Sequence, residues 1–242
     1  MVKCKISFSY GPTEFLKDIK IEVKKGEILA ILGPNGSGKT TILKCIAGLL
    51  SPKGYVYVDG KLGYVPQMNT DTYPYTVLEM VVMGRAPYIS PWDVPSKRDY
   101  KIAMDCLKSL GISHLANKPH TQISGGELRL VMIARALATQ PDVLLLDEPT
   151  AYLDFRNSHI VLEKIKSLKN RDIEIIASLH DPNECLRFAD NVILLKDGKI
   201  VSAGKTREVI TPENIMKVYG VKTRIVESDG IRVIIPEWRD EQ

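Results

Sequence analysis

The chain's 242 residues, 44% of them hydrophobic, suffice for one large or two small domains with a sizeable core, and one α/β domain with an insertion is expected. A formal net charge of +4, with both signs interleaved along the length, gives no basic stripe of the kind that marks a nucleic-acid partner. Cys4, Cys45, Cys106 and Cys185 lack a C-x-x-C spacing and no apolar run approaches the ~20 residues of a membrane span, so reduced core thiols in a cytosolic protein are expected, with any work at a membrane done through partners.

Residues 3–10 alternate in the manner of a half-buried strand that Gly11-Pro12 ends, and a second strand over 17–23 leads into a turn at 24–27. Residues 28–32 are apolar enough for a buried parallel strand, and 41–47 continue as a helix. Between them Gly33, Pro34, Asn35, Gly36, Ser37, Gly38, Lys39 and Thr40 fit the pattern G-x-x-x-x-G-K-[ST] in full. Gly36 and Gly38 let successive backbone N–H groups curl around a phosphate at the positive end of a helix. Lys39 adds a movable charge for the β- and γ-phosphates, and the Thr40 hydroxyl can ligate Mg²⁺. Alone, the motif favours a nucleotide site over an accidental glycine-rich turn and names no activity. Tyr10 is a candidate to stack on adenine, with ordinary edge packing an equal alternative. An alternating strand over 54–60 and a short strand ending at Pro66-Gln67 follow.

From about Thr76 to Gln140 the character changes: 77–84 and 102–110 carry helical spacing, which predicts a helical subdomain inserted into the sheet domain. The proline-aromatic segment from Arg85 to Trp92 lies between them and suits a protein-docking surface, the alternative being a loop folded over its own helices. Residues 123–138 read as a helix capped by Ser124, with Glu127 complementing the dipole; alone, it is a capped core helix. The apolar strand 143–146 then delivers Asp147 and Glu148 at its carboxyl end, where open α/β sheets place their ligands. A helix over 158–169, a strand over 173–179 closed by His180, a helix over 183–189, a hairpin on Asp197-Gly198, a helix over 212–219 and a second hairpin at Asp229-Gly230 complete the chain, without an internal repeat.

A phosphate loop, a distant Asp-Glu pair and a histidine after the next strand make a sufficient set for metal-assisted phosphoryl transfer to water. Lys39 and the loop amides would hold the phosphates, Thr40 directly and Asp147 through water would organise Mg²⁺, and Glu148 would polarise the attacking water. His180 would sense or stabilise the γ-phosphate, although a lone strand-end histidine is more often structural.

Together these residues resemble the nucleotide-binding subunits of ATP-binding cassette transporters. Gly33 to Thr40, with Thr41 beside it, stands as the Walker A loop, Gln67 as the Q-loop glutamine, and Ile123-Ser124-Gly125-Gly126-Glu127 as the signature. Residues 143–147 with Glu148 match the Walker B strand, Asp154 the D-loop, His180 the switch histidine and Tyr10 the adenine-stacking aromatic. The resemblance implies an α/β fold with a P-loop NTPase-type mixed sheet and an antiparallel β part over 1–68 and 141–242. The inserted helical subdomain would occupy about 69–140. It implies ATP and Mg²⁺ as ligands, with Gln67 joining Thr40 and Asp147 at the metal. It also implies a head-to-tail homodimer sandwiching two ATP molecules, each held by one subunit's Walker A loop and the other's Ser124, Gly125 and Gly126. Further implied partners are integral-membrane permease subunits docking near Arg85 to Trp92 at the cytoplasmic face of the cell membrane, and an extracytoplasmic substrate-binding protein, with no nucleic acid. Glu127 stands where the family usually has Gln, and Tyr152 where it has a small residue. The segment 83–88 and the tail 204–213 look like those of importers for iron-siderophore, haem or cobalamin complexes, with zinc, manganese and molybdate importers open. A cassette ATPase acting on DNA or ribosomes would carry a coiled-coil insertion or tandem cassettes, which the chain lacks, and the signature helix argues against a P-loop kinase.

Overall fold

The alternation of side chains along buried strands builds two cores on one sheet. The computed structural model describes residues 1–67 and 74–237. Its elements are β1 (Val2–Tyr10), β2 (Thr13–Val23), β3 (Ile28–Leu32), α1 (Lys39–Ile46), β4 (Lys53–Val58), β5 (Leu62–Val65), α2 (Val77–Val82), α3 (Lys97–Ser109), α4 (Gly125–Leu137) and β6 (Val143–Leu146). They continue as α5 (Phe155–Ser167), β7 (Glu174–Leu179), α6 (Pro182–Phe188), β8 (Asn191–Lys196), β9 (Lys199–Lys205), α7 (Thr206–Val209), α8 (Pro212–Tyr219), β10 (Thr223–Ser228) and β11 (Ile231–Pro236).

The central sheet has the order β5-β6-β7-β3-β8-β9, parallel except for the β8–β9 hairpin. Ala30, Leu32, Leu144, Leu146, Ile175 and Ala177 point to one face and pack with the helices that follow β5. Leu29, Ile31, Val143, Leu145 and Ile176 point to the other, against α1 and a second, antiparallel sheet ordered β2-β1-β4. The mixed α/β fold is thus a sheet buried on both faces, which is why its strands read as continuous apolar runs. Asp197 and Gly198 both have positive φ, the backbone that a two-residue hairpin demands.

Helix starts differ from the spacing-based expectation because caps, not apolar periodicity, decide them. Asp154 accepts from Asn157 N–H at 2.7 Å and so begins α5 at Phe155, while the Ser96–Asp99 capping box begins α3 at Lys97. Between β5 and β6 the chain leaves the sheet for α2, α3 and α4; of the stretch 69–140, residues 69–73 lie outside those described.

Within the segment from Arg85 to Trp92 the structure corrects the place of the arginine alone: Met83–Tyr88 form a 3₁₀ helix, and Arg85, expected as part of a docking surface, is buried. Arg85 donates to Asp99 Oδ1 at 3.0 Å and to the Ala138 carbonyl at the end of α4 at 2.7 Å. A short polar contact suits a guanidinium because it can satisfy a helix-end carbonyl and a carboxylate at once. Trp92, at 95% exposure, remains on the surface. Hydrogen bonds from the Ser96 hydroxyl and the Arg85 guanidinium push the Asp99 carboxyl down to about 2. A depressed carboxyl stabilises the fold above its ordinary value of about 3.9 and loses that contribution as pH falls through its folded value. Asp99→Asn is therefore expected to melt several degrees below the parent at pH 7. That gap should hold down to about pH 4 and close below it; a gap that widens on acidification would contradict the assignment.

Candidate active site

The loop between β3 and α1 takes its shape from glycines that no other residue replaces. Gly38 caps α1 with φ 112, and a Cβ there would lie 2.5 Å from Leu16 Cδ2. A Cβ at Gly33 would strike the Leu195 carbonyl oxygen. The N-terminus of α1 thereby opens into a cleft of about 510 Å³ bordered by Asn35, Gly36, Lys39, Thr40, Thr41, Gln67, Glu148 and His180. Ser37 Oγ is buried under the loop, against Gly33 and away from the cleft, without a hydrogen-bond partner among the described residues.

Lys39 is buried and donates to the carbonyls of Gly33 at 2.9 Å and Pro34 at 3.1 Å, with His180 Nδ1 at 3.5 Å. Burial lowers its pKa, while Glu148 and Asp147 work in the opposite sense. Thr40 Oγ1 donates to Asp147 Oδ1 at 3.0 Å, and Ser178 Oγ donates to the same oxygen at 2.8 Å. Asp147, 1% exposed, is thus a buried carboxylate held by hydroxyls. The donor set fits a hard divalent cation of the magnesium type, which takes one or two protein oxygens and leaves the rest to phosphate and water.

Glu148 sits one residue further on, in a left-handed backbone conformation with φ 49. Its N–H donates to Ser178 Oγ at 2.8 Å. Its Oε2 accepts from Gln67 Nε2 at 3.1 Å, and its Oε1 lies 2.6 Å from His180 Nε2. Because the Lys39 ammonium can only donate, Nδ1 of His180 accepts and Nε2 carries the proton towards Glu148. Strands β5, β6 and β7 are neighbours, so Gln67, Asp147, Glu148 and His180 converge simply by lying at their carboxyl ends.

Tyr10, 52% exposed, does not itself line the cleft but touches two residues that do, with its hydroxyl 3.3 Å from Thr41 Oγ1 and its ring edge-on to Phe15 and also to Phe8. Ser124, Gly125, Gly126 and Asp154 do not line this cleft. Gly126 and Asp154 are instead neighbours through Asn157, which abuts Gly126 and bonds the Asp154 carboxylate at 2.9 Å. Glu127 folds back to accept from the Ser124 N–H and hydroxyl, both at 2.8 Å. Those bonds from the Ser124 backbone and side chain lower its pKa.

Four residues at the site escaped the sequence reading. Phe15 lines the cleft from β2, and Tyr64 OH reaches Asp147 Oδ2 at 3.5 Å. Ser178 anchors both acids, and its one signal was a hydroxyl in the apolar run 175–179. Arg129, 2% exposed on α4, donates to the carbonyls of Pro66, Asp147, Glu148 and Pro149. Its signal was a lone charge within the buried run of that helix.

A family model described as ABC transporter matches residues 16–151. An uncharacterized ABC transporter ATP-binding protein of Methanocaldococcus jannaschii is 44% identical, covering 96% of this chain and 95% of its own. The molybdate import ATP-binding protein of Haemophilus influenzae is 36% identical, covering 88% of this chain and 85% of its own. The hemin import ATP-binding protein of Gloeobacter violaceus is 35% identical, with coverage of 91% and 88%. Among solved structures, a transporter described as of the metal-chelate ABC type, in an inward-facing conformation, superposes with a TM-score of 0.92 at 31% identity over 98% of this chain and 97% of its own.

Proposed function

The chain belongs to the ABC transporter family, whose ATP-binding subunits are ATPases, and from that premise we propose that it dimerises on ATP and hydrolyses it to drive uptake through separate membrane subunits. The observation that carries the hydrolytic reading is the convergence of Glu148, Gln67, His180, Lys39 and the Thr40–Asp147 pair on one cleft beside a phosphate-type loop. In this reading the loop amides and Lys39 hold the β- and γ-phosphates, and Tyr10 stacks on adenine. Glu148 takes the proton of a water whose oxygen bonds to the γ-phosphorus as the bridge to ADP breaks, while Gln67 and His180 hold the carboxylate in line. Thr40 and Asp147, with Gln67 nearby, would hold magnesium, which would supply neutralisation of the phosphate charge when bound.

The signature at Ser124 to Gly126 heads α4 outside the cleft of its own chain, as it would if it served a second copy. The helical part of about 69–140 is then the subdomain that presents it, with Asp154 beside it. In such a dimer the Glu127 carboxylate competes with an incoming γ-phosphate for the Ser124 donors. Glu127→Gln is expected to strengthen ATP-driven dimerisation by about 3- to 10-fold, read as the dimer dissociation constant by light scattering; weaker dimerisation would mean that the carboxylate assists closure.

No helix among the described residues is long and apolar enough to cross a membrane. We assign the permease contact, at the cytoplasmic face of the membrane, to the groove that Val82, Met83, Ala86, Ile89 and Tyr100 line, in the stretch of chain that also carries the exposed Trp92. The cargo read from segment 83–88 and from the hemin relative is an iron chelate, haem or cobalamin, delivered by an extracytoplasmic binding protein. The molybdate relative favours an oxyanion as the second reading. ATP hydrolysis by the chain co-purified with its membrane subunits in liposomes, supplied with haem, a ferric siderophore, cobalamin or molybdate, separates the two: stimulation by molybdate alone would replace the chelate reading.

A further inference from the structure

Helix α4 reaches the hydrolysis turn of its own chain through one side chain. Arg129 Nε donates to the Pro149 carbonyl at 3.1 Å, one Nη to the Pro66 carbonyl at 3.0 Å, and the other to the Asp147 and Glu148 carbonyls, both at 2.6 Å. We propose that Arg129 is a positioning residue that ties the signature helix to the Glu148 turn and to the strand end carrying Gln67. The inference rests on the ATP-hydrolysing dimer proposed above.

Three observations carry it. First, Glu148 sits at φ 49, which a residue with a Cβ adopts only when its surroundings enforce it. The peptide before Glu148 is pinned on both sides, by Arg129 at the Asp147 carbonyl and by Ser178 at the Glu148 N–H. The peptide after it leads into Pro149, which has no N–H, so only its carbonyl oxygen can be held. Arg129 and the Ala151 N–H hold it. Second, the guanidinium is buried deeply enough to push its pKa down to about 10, through loss of hydration. A charge kept there against that penalty serves its acceptors rather than packing. Third, a planar fork with five donors can serve four carbonyls from two chain segments, whereas an ammonium cannot.

The consequence is mechanical. The first turn of α4 carries Ser124 to Gly126, which would meet the partner's nucleotide, and its next turn carries Arg129, which holds this chain's own base. A shift of the signature helix on closure therefore moves the backbone of Glu148 directly, linking the two ATP sites through one rigid element.

The test uses the purified full chain with MgATP and the variants Arg129→Gln and Arg129→Lys. Each should lose about 10- to 100-fold in kcat, the scale of a misplaced catalytic group, with KM for ATP changed by less than about threefold. Arg129→Lys keeps the charge and most of the volume, so it decides the question should Arg129→Gln fail to fold. Placed on Glu148→Gln, Arg129→Lys should reduce residual hydrolysis no further, because it acts through that carboxylate. A parental kcat in folded Arg129→Lys, or losses that multiply in the double variant, would overturn the inference. Glu148→Gln alone separates the two levels: if it hydrolyses ATP at the parental rate, the proposed function fails; if it is inactive while Arg129→Lys is fully active, only the tie to Arg129 fails.

Discussion

Glu148→Gln is expected to lose about 10²- to 10⁴-fold in ATP hydrolysis, the range of a general base, while keeping ATP. The amide preserves the shape of the side chain and one oxygen to accept from Gln67 or His180, which stand at 3.1 and 2.6 Å from the native carboxylate. What it cannot do is take a proton from water. It also removes a negative charge from the rim of a cleft that would hold a triphosphate, so the nucleotide-bound state gains rather than loses electrostatically. The combined effect is a protein arrested before hydrolysis, which should accumulate as an ATP-dependent dimer in light scattering. Phosphate release at the parental rate would remove Glu148 from the role of base, and a permanent monomer in saturating ATP would remove the shared site.

Lys39→Ala attacks the other pole of the cleft and should weaken ATP binding by about 10²- to 10³-fold, the loss of two charge-assisted bonds to phosphate. Of the two carbonyls that Lys39 now serves, that of Gly33 is buried and that of Pro34 part-buried, so a melting scan of Lys39→Ala separates lost binding from lost fold. Burial lowers the Lys39 pKa, which fixes the sign of the pH dependence. Phosphate prefers the ammonium form, so the lysine's contribution is complete below its pKa and is lost as pH rises through it. That loss should begin earlier than for a lysine at its ordinary value of about 10.4. Titration of a fluorescent ATP analogue on the alkaline side should show affinity falling in the parent and flat in Lys39→Ala. Equal affinities of the two proteins at neutral pH would overturn the phosphate-cradle assignment.

Both predictions concern residues that local sequence pattern can reveal. A phosphate loop is a contiguous run whose glycines answer to backbone conformation, and an apolar strand that ends in two acids is a contiguous signal as well. Caps are nearly as local: Ser124 with Glu127 belongs to one turn of helix, and its reciprocal bonds follow from that spacing. Arg85 shows where such reasoning stops. A charge beside prolines and aromatics reads as surface, yet Asp99 and the Ala138 carbonyl, from two other helices, enclose it.

By itself, then, the amino-acid sequence determined the mixed α/β fold, the phosphate-loop pattern and the strand-end position of Asp147, Glu148 and His180, because each depends on side-chain period or on consecutive residues. Only the tertiary structure decided that Ser178 holds both acids, that Arg129 reaches four carbonyls from α4, and that Ser124 to Gly126 stand outside the cleft of their own chain. Those facts depend on which strands are neighbours and on where a long side chain ends, and such contacts between distant segments leave no periodic trace along the chain.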